Sequence, residues 1–165
     1  MQSVNPGHCL KPTHWRVFLW LVLVMLVPSV GAKEIIGATA VVTLEPDGLA
    51  LLARVDTGAR TTSIHAIDIE LDRAGDPRGK AIAFTVTDRQ GRTQRVQSHV
   101  ATTIMVRTAE GSERRYAVPL SFAYRGRVKT VLVTLNDRSQ MRHRLLLGRN
   151  WLRGDYIVDV ERDDD

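Results

Sequence analysis

Between residues 35 and 160 short apolar runs alternate with Gly, Pro, Asp and Arg, and no stretch holds a helical period for more than about a turn. The runs predict strands at Ile35 to Leu44, Leu49 to Val55, Thr62 to Leu71, Ala81 to Thr87, Thr93 to Val100, Thr103 to Thr108, Arg115 to Ala123, Val128 to Leu135, Arg144 to Leu147 and Tyr156 to Val160. In the third run Ile64, Ala66, Ile67 and Ile69 interleave with His65, Asp68 and Glu70, which predicts a strand with one buried face. Asp88-Arg89-Gln90-Gly91 and Ala109-Glu110-Gly111-Ser112 read as hairpin tips, with glycine as the positive-φ residue. Only Asn150 to Gly154 reads as helix. Short strands at this spacing predict an all-β fold, a barrel or a sandwich, with one short helix near the C-terminus.

The first 32 residues differ from the rest. They hold Lys11 and Arg16 but no acid, then an apolar run from Val17 to Val27, then Pro28-Ser29-Val30-Gly31-Ala32. A basic start, an apolar core and small residues at a cleavage site predict a secretory signal peptide over residues 1–32, and hence a periplasmic or secreted domain over 33–165. A spanning helix wants about 20 apolar residues, so an uncleaved inner-membrane anchor facing the periplasm is the second choice. Contact with a membrane is expected only if this segment is retained. Removing Lys11 and Arg16 from 23 basic residues leaves 21 against 18 acids, a net charge of +3. No aromatic residues interleave with the arginines as a nucleic-acid partner would need. Cys9 is the only cysteine and precedes the apolar run, so the mature chain has no thiol nucleophile, disulfide or thiolate zinc site.

Candidate chemistry lies at the end of the second predicted strand. Leu49-Ala50-Leu51-Leu52-Ala53 runs into Val55-Asp56-Thr57-Gly58-Ala59-Arg60, where the polarity changes abruptly. Aspartate and glycine are poor strand residues, so both at the end of a buried run need a reason. One reason is a turn, in which Asp56 caps its own backbone and Gly58 supplies positive φ. The other is a site. A second apolar strand ends alike, at Leu145-Leu146-Leu147-Gly148-Arg149-Asn150-Trp151-Leu152.

Together the two stretches resemble the retropepsin-like aspartic proteases, the family of the retroviral proteases. The match is closest to a bacterial branch that carries the label "ATP-dependent zinc protease" and shares Val-Asp-Thr-Gly-Ala-Arg-Thr and a late Leu-Leu-Gly-Arg. The resemblance implies a closed β-barrel and an aspartic endopeptidase acting on protein or peptide. It makes Asp56, Thr57 and Gly58 catalytic, with the Thr57 hydroxyl bonding across a dimer and Gly58 approaching the carboxylate closely. Ala59 and Arg60 would bind substrate. Leu146, Leu147, Gly148, Arg149 and Asn150 would support the catalytic loop from below. A hairpin should close over the substrate, and the one around Gly91 is the choice. In the retroviral branch the residue at position 60 is acidic and pairs with the later arginine. Arg60 leaves Arg149 to find another partner, with Asp68, Asp155 and a second subunit as candidates. The two cations would favour acidic peptide segments.

Aspartic proteolysis needs two carboxylates sharing one proton, one to activate water and one to protonate the carbonyl oxygen. The chain holds a single Asp-Thr-Gly, so a working enzyme of this type has to be a two-fold homodimer. The zinc and ATP parts of the label find no motif. His65, His99 and His143 are the histidines beyond residue 32, there is no H-E-x-x-H, and His65, Asp68 and Glu70 form the only dense cluster. In a single strand His65 and Asp68 would point to opposite faces. No phosphate loop is present. The expectation is therefore no metal ligand and no cofactor. Two rival readings stay open, a non-catalytic β-barrel that binds peptides in the cell envelope and a zinc-dependent peptidase.

Overall fold

The computed structural model of the chain describes residues 2, 32–72, 74–108 and 111–164. All but Gln2 and Ala32 of the expected signal segment lie outside the described residues, as do Ala109 and Glu110 of the second hairpin tip. The elements are β1 (Glu34–Ile36), β2 (Thr39–Leu44), β3 (Leu49–Val55), β4 (Thr62–His65), β5 (Ile67–Leu71), β6 (Ala81–Thr87), β7 (Thr93–His99), β8 (Thr102–Thr108), β9 (Gly111–Tyr124), β10 (Arg127–Asn136), β11 (Leu145–Leu147), α1 (Arg149–Leu152) and β12 (Tyr156–Val158).

Six strands close on themselves. The order β10-β4-β11-β3-β2-β9 is completed by the β9–β10 ladder, and β8 extends the sheet from the outer half of β9. This ring is the closed all-β architecture expected from the sequence, and α1 is the one helical turn near the C-terminus. β11 runs parallel to β3, with Leu145, Leu146 and Leu147 opposite Ala53, Arg54 and Val55. Both strands therefore end together, and the two glycine-bearing motifs that follow them emerge side by side. The buried side chains Val42, Leu44, Leu51, Ile64, Phe122, Val133, Leu145 and Leu147 form one core. Trp151 of α1 extends it by stacking on Tyr156 at 4.5 Å, with Tyr124 edge-on to both rings.

Two expected strands are each broken in two. Ile35 to Leu44 divides at Gly37, where the C-terminal segment crosses so closely that a Cβ would fall 2.5 Å from the Arg162 carbonyl oxygen. β1 then pairs with β12 in parallel, while β2 enters the ring. Thr62 to Leu71 divides at Ala66, and Asp68 takes a positive φ of 50° as the chain leaves for a separate three-stranded sheet, β5-β6-β7. The expected half-buried alternation fails here for a physical reason. All four residues of β4 are buried, because Ser63 and His65 on its second face lie beneath the loop that joins β10 to β11.

The C-terminal segment is pinned by Asp164. Its carboxylate accepts the Gly37 amide at 2.7 Å, the Tyr124 hydroxyl at 3.0 Å and guanidinium N–H groups of Arg162 and Arg125 at 2.8 and 3.3 Å. Burial pushes the Asp164 carboxyl up, but these donors outweigh it and hold it below the usual carboxylate range. A carboxyl depressed in the folded state contributes stability above its unfolded pKa and loses it as pH falls through the folded value. Melting temperature should therefore drop as the solution is acidified below about pH 4. Asp164→Asn should melt lower at neutral pH and lose less on acidification, and equal slopes for the two proteins would rule this contribution out.

Candidate active site

The loop of residues 56–61 leaves the end of β3 and returns as β4. Its first amide, that of Asp56, donates to the Leu147 carbonyl at 3.0 Å, so the loop starts from the β11 ladder. The Asp56 carboxylate folds back over the loop. Oδ1 accepts the Gly58 and Ala59 amides at 2.9 and 3.1 Å, and Oδ2 takes no hydrogen bond among the described residues. Gly58 does not have the positive φ that the turn reading gave it. What it supplies is room, since a Cβ there would sit 3.1 Å from Asp56 Oδ1. Thr57 and Arg60 are exposed and Ala59 is half-buried. Neither the Thr57 hydroxyl nor the Arg60 guanidinium has a hydrogen-bond partner among the described residues.

The second motif holds this loop from below. Gly148 lies against the Thr61–Thr62 backbone, and the amides of Arg149 and Asn150 donate to the carbonyls of Ala59 and Arg60 at 2.9 and 3.2 Å. Arg149 finds neither Asp68 nor Asp155. Its Nη1 donates to the Thr57 and Gly58 carbonyls at 2.9 and 2.7 Å, while Asp155 pairs with Lys129. Both bonds leave one guanidinium nitrogen, so two main-chain carbonyls of the catalytic loop take the place of an acid at position 60. Asn150 Oδ1 accepts both the amide and the hydroxyl of Thr62, at 2.9 and 2.8 Å, and its Nδ2 donates to the Leu132 carbonyl at 2.7 Å. The Thr62 hydroxyl also accepts the Gly148 amide at 3.1 Å. Thr62 is thus the knot between the two motifs. The sequence reading missed it because it lies two residues past Arg60, in what looked like an ordinary strand start.

Asp56 and Thr57 open on a cleft of ≈ 470 Å³, also lined by Arg54, Arg142, His143, Val158 and Val160. Its electrostatics are cationic. Burial pushes the His143 imidazole down, and Arg142, Arg89, Arg54 and Arg138 push it further. Burial also pushes the Arg138 guanidinium down, Arg115 adds to this, and Asp56 opposes it. Arg89, whose charge acts on His143, belongs to the hairpin tip around Gly91, and no residue of that tip lines the cleft. That tip is braced, because the buried Asp88 carboxylate accepts the Gln90 and Arg92 amides and pairs with the Arg92 guanidinium.

His65 is buried, its Nδ1 accepts the Arg138 amide at 2.9 Å, and burial followed by Arg144 pushes its pKa down. His65 lies in β4, and Asp68 and Glu70 lie in β5 beyond the break at Ala66, so the cluster read from the sequence is not one strand. Among the described residues no group of three His, Cys, Asp or Glu side chains is placed to hold a metal ion.

A family model described as the RimB-like retropepsin-like aspartic endopeptidases matches residues 35–164. The chain belongs to this family. The fold is also similar to that of a solved structure, protein Lpg0085 of Legionella pneumophila, described as of unknown function. The two share 26% identity and a TM-score of 0.67 over 81% of this chain and 98% of that one. Curated relatives named "Probable alpha-L-glutamate ligase" are similar to part of the chain. The relative from Shewanella pealeana is 34% identical over 67% of this chain, and that from Desulfotalea psychrophila is 33% identical over 78%. The RimB-like chain spans only about a quarter of their length, 24% and 28% respectively.

Proposed function

We propose that this RimB-like chain is an aspartic endopeptidase that works as a homodimer on acidic peptide segments in the periplasm or outside the cell. One observation carries the reading. Asp56 stands at the mouth of a cleft with one oxygen fixed by two loop amides and the other unpartnered among the described residues, on a loop locked from below by the second motif. In a two-fold pair, Asp56 of each copy would share one proton. The ionised carboxylate takes a proton from the attacking water while the protonated one donates to the carbonyl oxygen, and the Gly58 and Ala59 amides hold each carboxylate in line. The exposed Thr57 hydroxyl is free to bond across the axis. β1 and β12 offer a surface for a second copy, since Ile35 and Ile157 lie side by side and 46% and 55% exposed on the outer face of their two-stranded sheet.

The acidic preference rests on Arg54 and Arg142 in the cleft and on the exposed Arg60. The glutamate in the name of the relatives is a statement about those longer proteins, but it agrees with a cleft of this charge. The same name favours a second reading, a module that holds an acidic peptide without cutting it. The test is activity per chain as purified protein is diluted through its dimer dissociation range, followed by sedimentation. Activity should fall as dimers separate, be blocked by a hydroxyl-bearing transition-state mimic and survive a metal chelator. Full activity from a monomer would sink the mechanism, and loss to the chelator would favour a metallopeptidase.

A further inference from the structure

The loop that joins β10 to β11 brings Arg142 and His143 to the Asp56 cleft, and the way it is held goes beyond what a surface loop needs. Its neck is closed by the end of β4. The His65 amide donates to the Arg144 carbonyl at 2.7 Å and the Ala66 amide to the Asn136 carbonyl at 3.1 Å. Its interior is filled by Arg138, which is only 7% exposed. The Arg138 Nε donates to the His143 carbonyl at 3.2 Å and Nη1 to the Ser63 hydroxyl at 3.2 Å, while its amide donates to His65 Nδ1 at 2.9 Å and its carbonyl accepts the Met141 amide at 2.9 Å. A buried guanidinium is costly unless it is paired and fully hydrogen-bonded, and Arg138 makes no ion pair among the described residues. A loop that merely had to cover β4 would be better filled by an apolar side chain. The charged fork instead fixes the carbonyl of the residue that lines the cleft.

We propose that His65 and Arg138 are positioning residues of this enzyme: they latch the loop of residues 137–144 so that Arg142 and His143 stand on the wall of the Asp56 cleft, where a substrate carboxylate would meet them. His65 serves as an acceptor through Nδ1, and Arg138 ties the far end of the loop to Ser63 of β4. The proposal rests on the acidic-peptide reading, and the experiment separates the two.

Binding is measured in an Asp56→Asn background, which removes turnover, with a fluorescent peptide of alternating Glu and Ala and its Gln-for-Glu twin. His65→Leu should weaken the Glu peptide about tenfold and leave the Gln peptide unchanged. His65→Asn keeps an oxygen where Nδ1 was and should restore most of the affinity. Arg138→Lys keeps the charge but loses the fork, and should weaken binding as His65→Leu does. If His65→Leu fails to fold, Arg138→Lys and Ser63→Ala carry the test, since both leave the amide-to-imidazole bond intact. Equal affinity for all variants, or equal weakening of both peptides, would overturn the proposal. Amide exchange across residues 137–144 reads the latch without any peptide. It should quicken about tenfold or more in His65→Leu and not in His65→Asn. Unchanged exchange overturns the latch, whereas a parent that never prefers the Glu peptide overturns only the acidic-substrate reading.

Discussion

Asp56→Asn should give a protein that folds, self-associates as the wild type does and hydrolyses essentially no peptide. The Asn side chain keeps an oxygen to accept the Gly58 and Ala59 amides, so the loop geometry survives. What disappears is the charge and the shared proton. General acid–base action alone is worth about 10² to 10⁴ in rate, and one residue type supplies both halves of it here. The measurement is kcat/KM on an acidic peptide beside a melting curve. A melting temperature close to wild type with no detectable turnover is expected. If the variant still cuts and a chelator stops it, the chemistry belongs to a metal site. If neither protein cuts but both hold the peptide, the chain is a binding module.

Gly148→Ala should damage the site almost as much without touching Asp56. Gly148 has an ordinary extended φ of −89°, so backbone strain is not the reason. An added Cβ would fall 2.6 and 2.8 Å from the Thr61 carbonyl carbon and oxygen and 2.9 Å from the Thr62 nitrogen. All three are main-chain atoms, fixed by the Asn150 and Thr62 bonds, and cannot swing aside. Overpacking of this kind costs about 1 to 3 kcal/mol. The strain is relieved by lifting the 56–61 loop off its floor, and a displacement of about 1 Å at a reacting group can cost about 10²-fold. A lower melting temperature together with a fall of that order in kcat is expected. Wild-type values for both would show that the loop is not seated on Gly148.

The strands and the ring were legible because apolar runs of strand length with polar punctuation leave few alternatives, and eight of the ten predicted runs survive as single strands. The two breaks were not, because both are made by distant partners: Asp164 at Gly37, and Asn136 at Ala66. The same holds at the site. Asp56, Gly58, Gly148, Arg149 and Asn150 stood out as polar or glycine residues at the ends of buried runs. Thr62 and Arg138 did not, since a threonine at a strand start and an arginine in an Arg-rich loop carry no local sign of burial. The partner of Arg149 was sought among carboxylates, whereas two main-chain carbonyls hold it, and backbone acceptors are invisible in a sequence.

The parallel pairing of β1 with β12 has a mechanical consequence. Glu34 lies opposite Tyr156 and Ile36 opposite Val158, and the Glu34 and Asp159 amides close the two ends of the ladder at 2.8 and 2.9 Å. A force that draws the two ends of the domain apart first peels the last residues from β2, and then loads this ladder along the strand direction. In that shear geometry the bonds must fail together, whereas a hairpin pulled open at its mouth loses them one by one. A domain tied at both ends by such a clasp yields to tension late and all at once.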